Sequence, residues 1–275
     1  MNYKMVGFVL GRIFLIEAAL MLFPMGCAAI YGEWSVVLSF LWPTLIVLAL
    51  GLITSLRTPQ NTKIYARDGL AIAALVWVLM SVFGALPFVI SGEIPSFADA
   101  FFETVSGFTT TGSTILTDVE ALSHGTLFWR SFSHWIGGMG VLVFAMAVLP
   151  MTDGRAMHLM RAEVPGPTCG KISSKLSDSA KILYAIYLVM TVIETILLCA
   201  GGMPLFDALI HAFGTAGTGG FSNKALSVGA YNSPYFEIVI GVFMLLFGIN
   251  FNLYYFLLLR HFREAFASEE MHVYL

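Results

Sequence analysis

Six stretches of this chain, near residues 7–30, 35–56, 69–92, 127–150, 181–203 and 236–260, run apolar for long enough to cross a lipid bilayer. A hydrocarbon core about 30 Å thick takes roughly 20 residues of helix. Backbone amides left unpaired in lipid cost several kcal/mol each, so such stretches must fold as helices. The expected fold class is therefore an all-α integral membrane protein with six transmembrane helices. Composition agrees: 58% of the residues are hydrophobic and 11% charged, against about 25% charged in soluble proteins, and the mean hydropathy is +0.83.

The few charges are unevenly placed. With the N-terminus in the cytoplasm, six spans put Lys4, Arg57, Lys63, Arg67, Arg155, Arg161, Lys171, Lys175, Lys181, Arg260 and Arg263 inside. Arg12 then lies in the inner part of the first span, and Arg130 and Lys224 lie outside. Excess Lys and Arg on one side marks the cytoplasmic face, so both termini are expected there. The apolar run after Met1-Asn2-Tyr3-Lys4 passes residue 28 without a small-residue cleavage site, which predicts a retained first helix. Cys27, Cys169 and Cys199 are scattered, with neither a disulfide framework nor metal-ligand spacing. A net charge of -3 suggests no nucleic-acid partner.

Along the chain we read a transmembrane hairpin over 1–60, a first unit over 64–150, a cytoplasmic linker over 151–179, a second unit over 180–262 and a cytoplasmic tail over 263–275. The linker carries Pro165-Gly166-Pro167 and little apolar periodicity. Each unit reads span, short helix, polar loop, span. In the first, Ser106-Gly107-Phe108-Thr109-Thr110-Thr111-Gly112-Ser113-Thr114 follows a helix expected to start at Ser96, with Asp99 as its acidic capping partner. In the second, Gly214-Thr215-Ala216-Gly217-Thr218-Gly219-Gly220-Phe221-Ser222 follows a helix opened by Pro204. Asp99 and Asp207, Glu103 and His211, Thr110 and Thr218, Gly112 and Gly220, and Gly140 and Gly248 all stand 108 residues apart. Helices of about ten residues cannot span the bilayer, so both segments are expected to be re-entrant, with their irregular backbone sheltered in a shared cavity.

Thr- and Gly-rich loops can present rings of backbone carbonyls that replace the hydration shell of a cation. Glycine takes positive φ freely, and the negative end of the preceding helix favours a cation. The loops contain no Asp, Glu, Lys or Arg over 104–117 and 212–223. A divalent-selective or anion pore would show charged rings, so a monovalent cation is expected. Candidate filter residues are Thr110, Thr111, Gly112 and Ser113 with Thr218, Gly219, Gly220 and Phe221; all but Ser113 and Phe221 are expected to ligate the ion directly. Glu103 and His211 are expected to brace the loops from behind. For Asp99 and Asp207 two readings stand: negative potential at the outer mouth, and helix capping. Plain flexible connection is the competing reading of either loop alone, and duplication at a fixed period argues against it.

Other polar residues have simpler readings. Arg12 and Glu17 are read as structural, Glu194 as a buried carboxylate behind the pore, and His134 as a packing residue. An intramembrane hydrolase would need a nucleophile-base constellation or a His-Glu-x-x-His motif, and the sequence shows neither, so no enzymatic activity is expected.

The segment Glu103-Thr104-Val105-Ser106-Gly107-Phe108-Thr109-Thr110-Thr111-Gly112, with Thr218-Gly219-Gly220-Phe221-Ser222 and the opening hairpin, resembles the Trk/Ktr/HKT superfamily of potassium transporters, and within it the TrkH-like subunits of bacterial Trk uptake systems. The resemblance implies four span-loop-span units around one pore, each supplying a filter glycine, which here fall on Gly112 and Gly220. It implies potassium as substrate and a cytoplasmic, nucleotide-binding regulatory partner of the TrkA type, docking on 151–180 and the tail after Arg260. No nucleotide-binding fingerprint occurs in the chain, so no cofactor of its own is expected. The sequence holds two of the four units. The alternative expectation is a truncated or half-pore subunit that conducts only when assembled, as a homo-oligomer or with another chain.

Overall fold

A computed structural model describes residues 1–61, 65–140, 176–258 and 269–274. Its elements, in chain order, are α1 (Tyr3–Leu20), α2 (Leu22–Ile30), α3 (Trp34–Ser55), α4 (Ala66–Ser91), α5 (Phe97–Phe108), α6 (His124–Gly138), α7 (Leu176–Ala200), α8 (Leu205–Ala216), a 3-10 turn (Ser227–Tyr231), α9 (Pro234–Gly248), α10 (Phe251–Leu258) and α11 (Glu269–Tyr274). Pro24 explains the break between α1 and α2. Its ring crowds the carbonyl four residues back, at Leu20, where α1 ends.

Among the described residues, four helical stretches are long and apolar enough to cross a membrane: Tyr3–Ile30, Trp34–Ser55, Arg67–Ser91 and Lys181–Ala200. They correspond to the first, second, third and fifth predicted spans. The fourth, 127–150, is helical to Gly138, and residues 141–150 lie outside the described residues, as does most of the predicted linker. The sixth is not one helix. At Ile249 the backbone turns extended (φ -72, ψ 141), and α10 starts two residues on. The freed carbonyls at the end of α9 find new donors: Tyr274 Oη donates to Leu245 O at 3.0 Å and Tyr254 Oη to Leu246 O at 2.6 Å. A break inside an apolar stretch needs such replacement partners.

Small residues let the spans approach closely. At the α1–α3 crossing a Cβ on Gly51 would stand 2.9 Å from the Gly11 carbonyl oxygen. A second tie holds the hairpin to the first unit. Glu33, between α2 and α3, accepts from the backbone N–H groups of His124 (2.9 Å) and Gly125 (3.0 Å) at the start of α6, where the helix dipole favours an anion. Tyr31 stacks on the His124 ring at 3.8 Å. Inside the first unit, buried Trp129 donates from Nε1 to Gly84 O at 2.9 Å and packs edge-on against Phe108.

Candidate functional site

α5 and α8 each have 12 residues, about 18 Å of helix at 1.5 Å per residue, too short to cross the bilayer. Ser96 Oγ accepts from the Asp99 N–H at 3.4 Å and starts α5. At their other ends the two helices give way to loops of matching backbone. Thr110 and Thr218 take φ 55 and 54, and Gly112 and Gly220 take φ 75 and 79. β-Branched residues are rare outliers in this region, so the same strain recurs at one register position in both units.

Hydrogen bonds explain the strain. The amides of Thr110, Thr111 and Gly112 turn back to the last carbonyls of α5: Gly107 O at 3.0 Å, and Ser106 O at 3.0 and 3.5 Å. Those of Thr218, Gly219 and Gly220 do the same on α8, to Thr215 O at 2.8 Å and Gly214 O at 3.1 and 3.2 Å. A carbonyl points opposite to the next N–H across a trans peptide. The carbonyls of Thr109, Thr110 and Thr111, and of Gly217, Thr218 and Gly219, therefore turn away from the helix ends. The loops also meet. A Cβ built on Gly112 would collide with the Gly219 carbonyl oxygen, and one on Gly219 would stand 2.8 Å from the Thr110 carbonyl oxygen.

Behind the carbonyls, each loop is tied to its own short helix. Glu103 is 1% exposed; its carboxylate accepts from Thr114 Oγ1 at 2.8 Å and the Ile115 N–H at 3.2 Å. At the same register His211 Nε2 pairs with Ser222 Oγ at 3.1 Å, and its Nδ1 lies 2.8 Å from Asp207 O. The Asp207 carboxylate accepts from Asn223 Nδ2 at 2.6 Å and Tyr231 Oη at 2.7 Å, so it ties down the chain leaving the loop. Asp99 is half-exposed at the start of α5.

Seven of the eight candidate filter residues, Thr110 to Ser113 and Thr218 to Gly220, are exposed or half-exposed. The Ser113 carbonyl accepts from Ser106 Oγ at 2.6 Å, which closes the loop on its own helix. Phe221 is different. Its side chain is 2% exposed and stacks on His134, ring centroids 4.0 Å apart. Arg130, which the basic bias puts on the outer side, is buried within the protein. It is 3% exposed, donates from Nε to Glu103 Oε1 at 2.5 Å and from Nη1 to Ser222 O at 3.0 Å. Its carboxylate partner stands 27 residues earlier in sequence. The readable signal was the isolated charge in an apolar stretch, which calls for a buried partner.

Lys224 does lie at the surface, 3.2 Å from Glu120 Oε2. Hydrogen bonds from the Ala225 N–H and Lys224 hold the Glu120 carboxyl below its usual range. Glu17 and Glu194 are both fully buried.

Two short helices ending in uncharged loops, set among helices long and apolar enough to cross a membrane, define an all-helical membrane protein. The chain belongs to the TrkH family, described as "Cation transport protein", which it matches over residues 35–272. It is 37% identical over 264 residues to the Trk system potassium uptake protein TrkH of Salmonella typhimurium, covering 94% of this chain and 54% of that one. It is 35% identical to the Trk system potassium uptake protein TrkG of Escherichia coli, with 94% and 54% covered. The crystal structure of the potassium transporter TrkH from Vibrio parahaemolyticus superposes with a TM-score of 0.78 at 30% identity, over 93% of this chain and 52% of that one. The chain thus spans about half the length of the curated relatives it matches.

Proposed function

We propose that this chain carries potassium across a bacterial inner membrane, the ion shedding water as it passes the carbonyls of Thr110, Thr111, Gly112, Thr218, Gly219 and Gly220. The observation that carries the reading is the matched backbone of the two loops. The carbonyls of Thr110, Thr111, Thr218 and Gly219, turned from the helix ends in loops without a charged residue, suit a monovalent cation rather than a divalent one or an anion. Transport of this kind needs no covalent step, consistent with relatives that are uptake proteins. Seating the ion on carbonyls rather than carboxylates lets it bind and leave again.

Two loops supply part of a ring, so conduction is assigned to an assembly in which further loops complete the constriction, from a longer chain or from other copies. A cytoplasmic nucleotide-binding subunit of the TrkA type would dock on 151–180 and the tail, with both termini inside. Uptake of Rb⁺ into liposomes, or into cells deficient in potassium uptake, tests the reading. Gly112→Ser and Gly220→Ser should each depress uptake, and uptake untouched by both would remove these residues from the filter.

A further inference from the structure

Arg130 is engaged on three sides at once. Its Nε meets Glu103 of the first unit, its Nη1 donates to the Ser222 carbonyl of the second at 3.0 Å, and its guanidinium carbon stands 3.6 Å over the Phe221 ring. His134, one helical turn on, stacks parallel on the same ring at 4.0 Å and 4°. Two groups so near one ring centroid cannot share a face, so Phe221 is clasped between them. The rest of α6 follows the loop closely: a Cβ on Gly219 would stand 2.9 Å from His134 Nδ1, and one on Gly217 2.7 Å from His134 O. The second loop therefore rests on the first unit's helix.

The arrangement has a direction. The positions 108 residues after Arg130 and His134 are Ile238 and Val242, 66% and 48% exposed. Among the described residues the clasp runs from the first unit to the second, and the second offers no basic equivalent. Only a planar, forked cation can serve a carboxylate, a carbonyl and an aromatic face together. The buried charge is matched by Glu103, without which it would be costly. Cation–π contact strengthens as water is excluded.

We infer that Arg130 is a positioning residue for ion discrimination: with His134 it clamps Phe221 and so holds the carbonyls of Thr218 and Gly219 at the spacing of the larger monovalent cation. The inference rests on the conduction proposed above. A loop released from the clamp can draw in around a smaller ion, so preference for K⁺ over Na⁺ should fall while conduction continues.

The experiment uses the protein in the assembly in which it is isolated, reconstituted in liposomes, with ⁸⁶Rb⁺ uptake competed by K⁺ and by Na⁺. Phe221→Leu keeps the Glu103 pair, and Arg130→Lys keeps the charge but loses the fork. Each should reduce the K⁺/Na⁺ preference by about fivefold or more, the lower end of coupling between distinct sites. The double variant should lose no more than the worse single one, because both break one contact. A role confined to stability would lower uptake at constant preference, and that result in Phe221→Leu overturns the inference. If Arg130→Lys fails to fold, Phe221→Leu decides alone. Wild-type liposomes that take up no Rb⁺ would refute the conduction proposal itself and the inference with it.

Discussion

Gly112 and Gly220 share a left-handed backbone, φ 75 and 79, but not the same surroundings. A methyl group on Gly112 meets the Gly219 carbonyl oxygen, whereas nothing lies within 4 Å of one on Gly220. An L-residue in this region costs about 1–2 kcal/mol, and Gly112→Ala adds a clash with backbone. We expect Gly112→Ala to abolish Rb⁺ uptake and Gly220→Ala to reduce it by roughly tenfold or less, a factor worth about 1.4 kcal/mol. Equal effects would mean that the two loops are not packed as described. The buried Glu103–Arg130 pair gives a second test. Removing one partner strands a charge, at about 3–5 kcal/mol, whereas replacing both with apolar groups is often neutral. In thermal unfolding in detergent, Glu103→Ala should therefore be less stable than Glu103→Leu combined with Arg130→Met. The glycines and threonines of the loops were legible in the sequence, because their spacing and chemistry are local. The partners of Arg130 were not, because the Ser222 carbonyl lies 92 residues away.

At the scale of elements, α6 is the part on which both units lean. Its glycines make that possible. A Cβ on Gly138 would stand 2.9 Å from Gly217 Cα and 3.0 Å from Ala216 O. Gly138→Ala should thus destabilise the protein by about 1–3 kcal/mol, the range for overpacking, read as a lowered unfolding temperature. The start of α6 is held by Glu33. Partial burial alone would raise the Glu33 pKa, but the hydrogen bonds from Gly125 and His124 outweigh it and hold the carboxyl below its usual range. A folded pKa below the unfolded one gives stability that is fully present above roughly pH 4.3 and lost as pH falls through the folded value. Between about pH 6 and about pH 3, wild type should lose unfolding temperature more steeply than Glu33→Gln. Parallel curves would show that the tie contributes nothing. Length and apolarity foretold the first, second, third and fifth spans. They missed the break at Ile249, since its replacement hydrogen bonds come from the hydroxyls of Tyr254 and Tyr274, and an apolar pattern does not record where a hydroxyl will find its acceptor.

Across the whole molecule, orientation is open to a direct test. Asp118 and Arg57 are both exposed, and the basic bias places them on opposite sides of the membrane. In intact cells a membrane-impermeant maleimide should label Asp118→Cys, and should reach Arg57→Cys only after permeabilisation. The reverse pattern would invert the proposed topology. The sequence by itself determined that this is a helical membrane protein with two like units, because bilayer thickness sets the apolar length and a fixed 108-residue register exposes the repeat. It also determined where the two uncharged loops fall, because threonine, glycine and missing charge are properties of composition. Only the tertiary structure decided how those loops are held. The clasp on Phe221 joins Arg130 and His134 of one unit to the loop of the other, and contact across two units depends on how closely glycine-bearing helices pack, which no local pattern records.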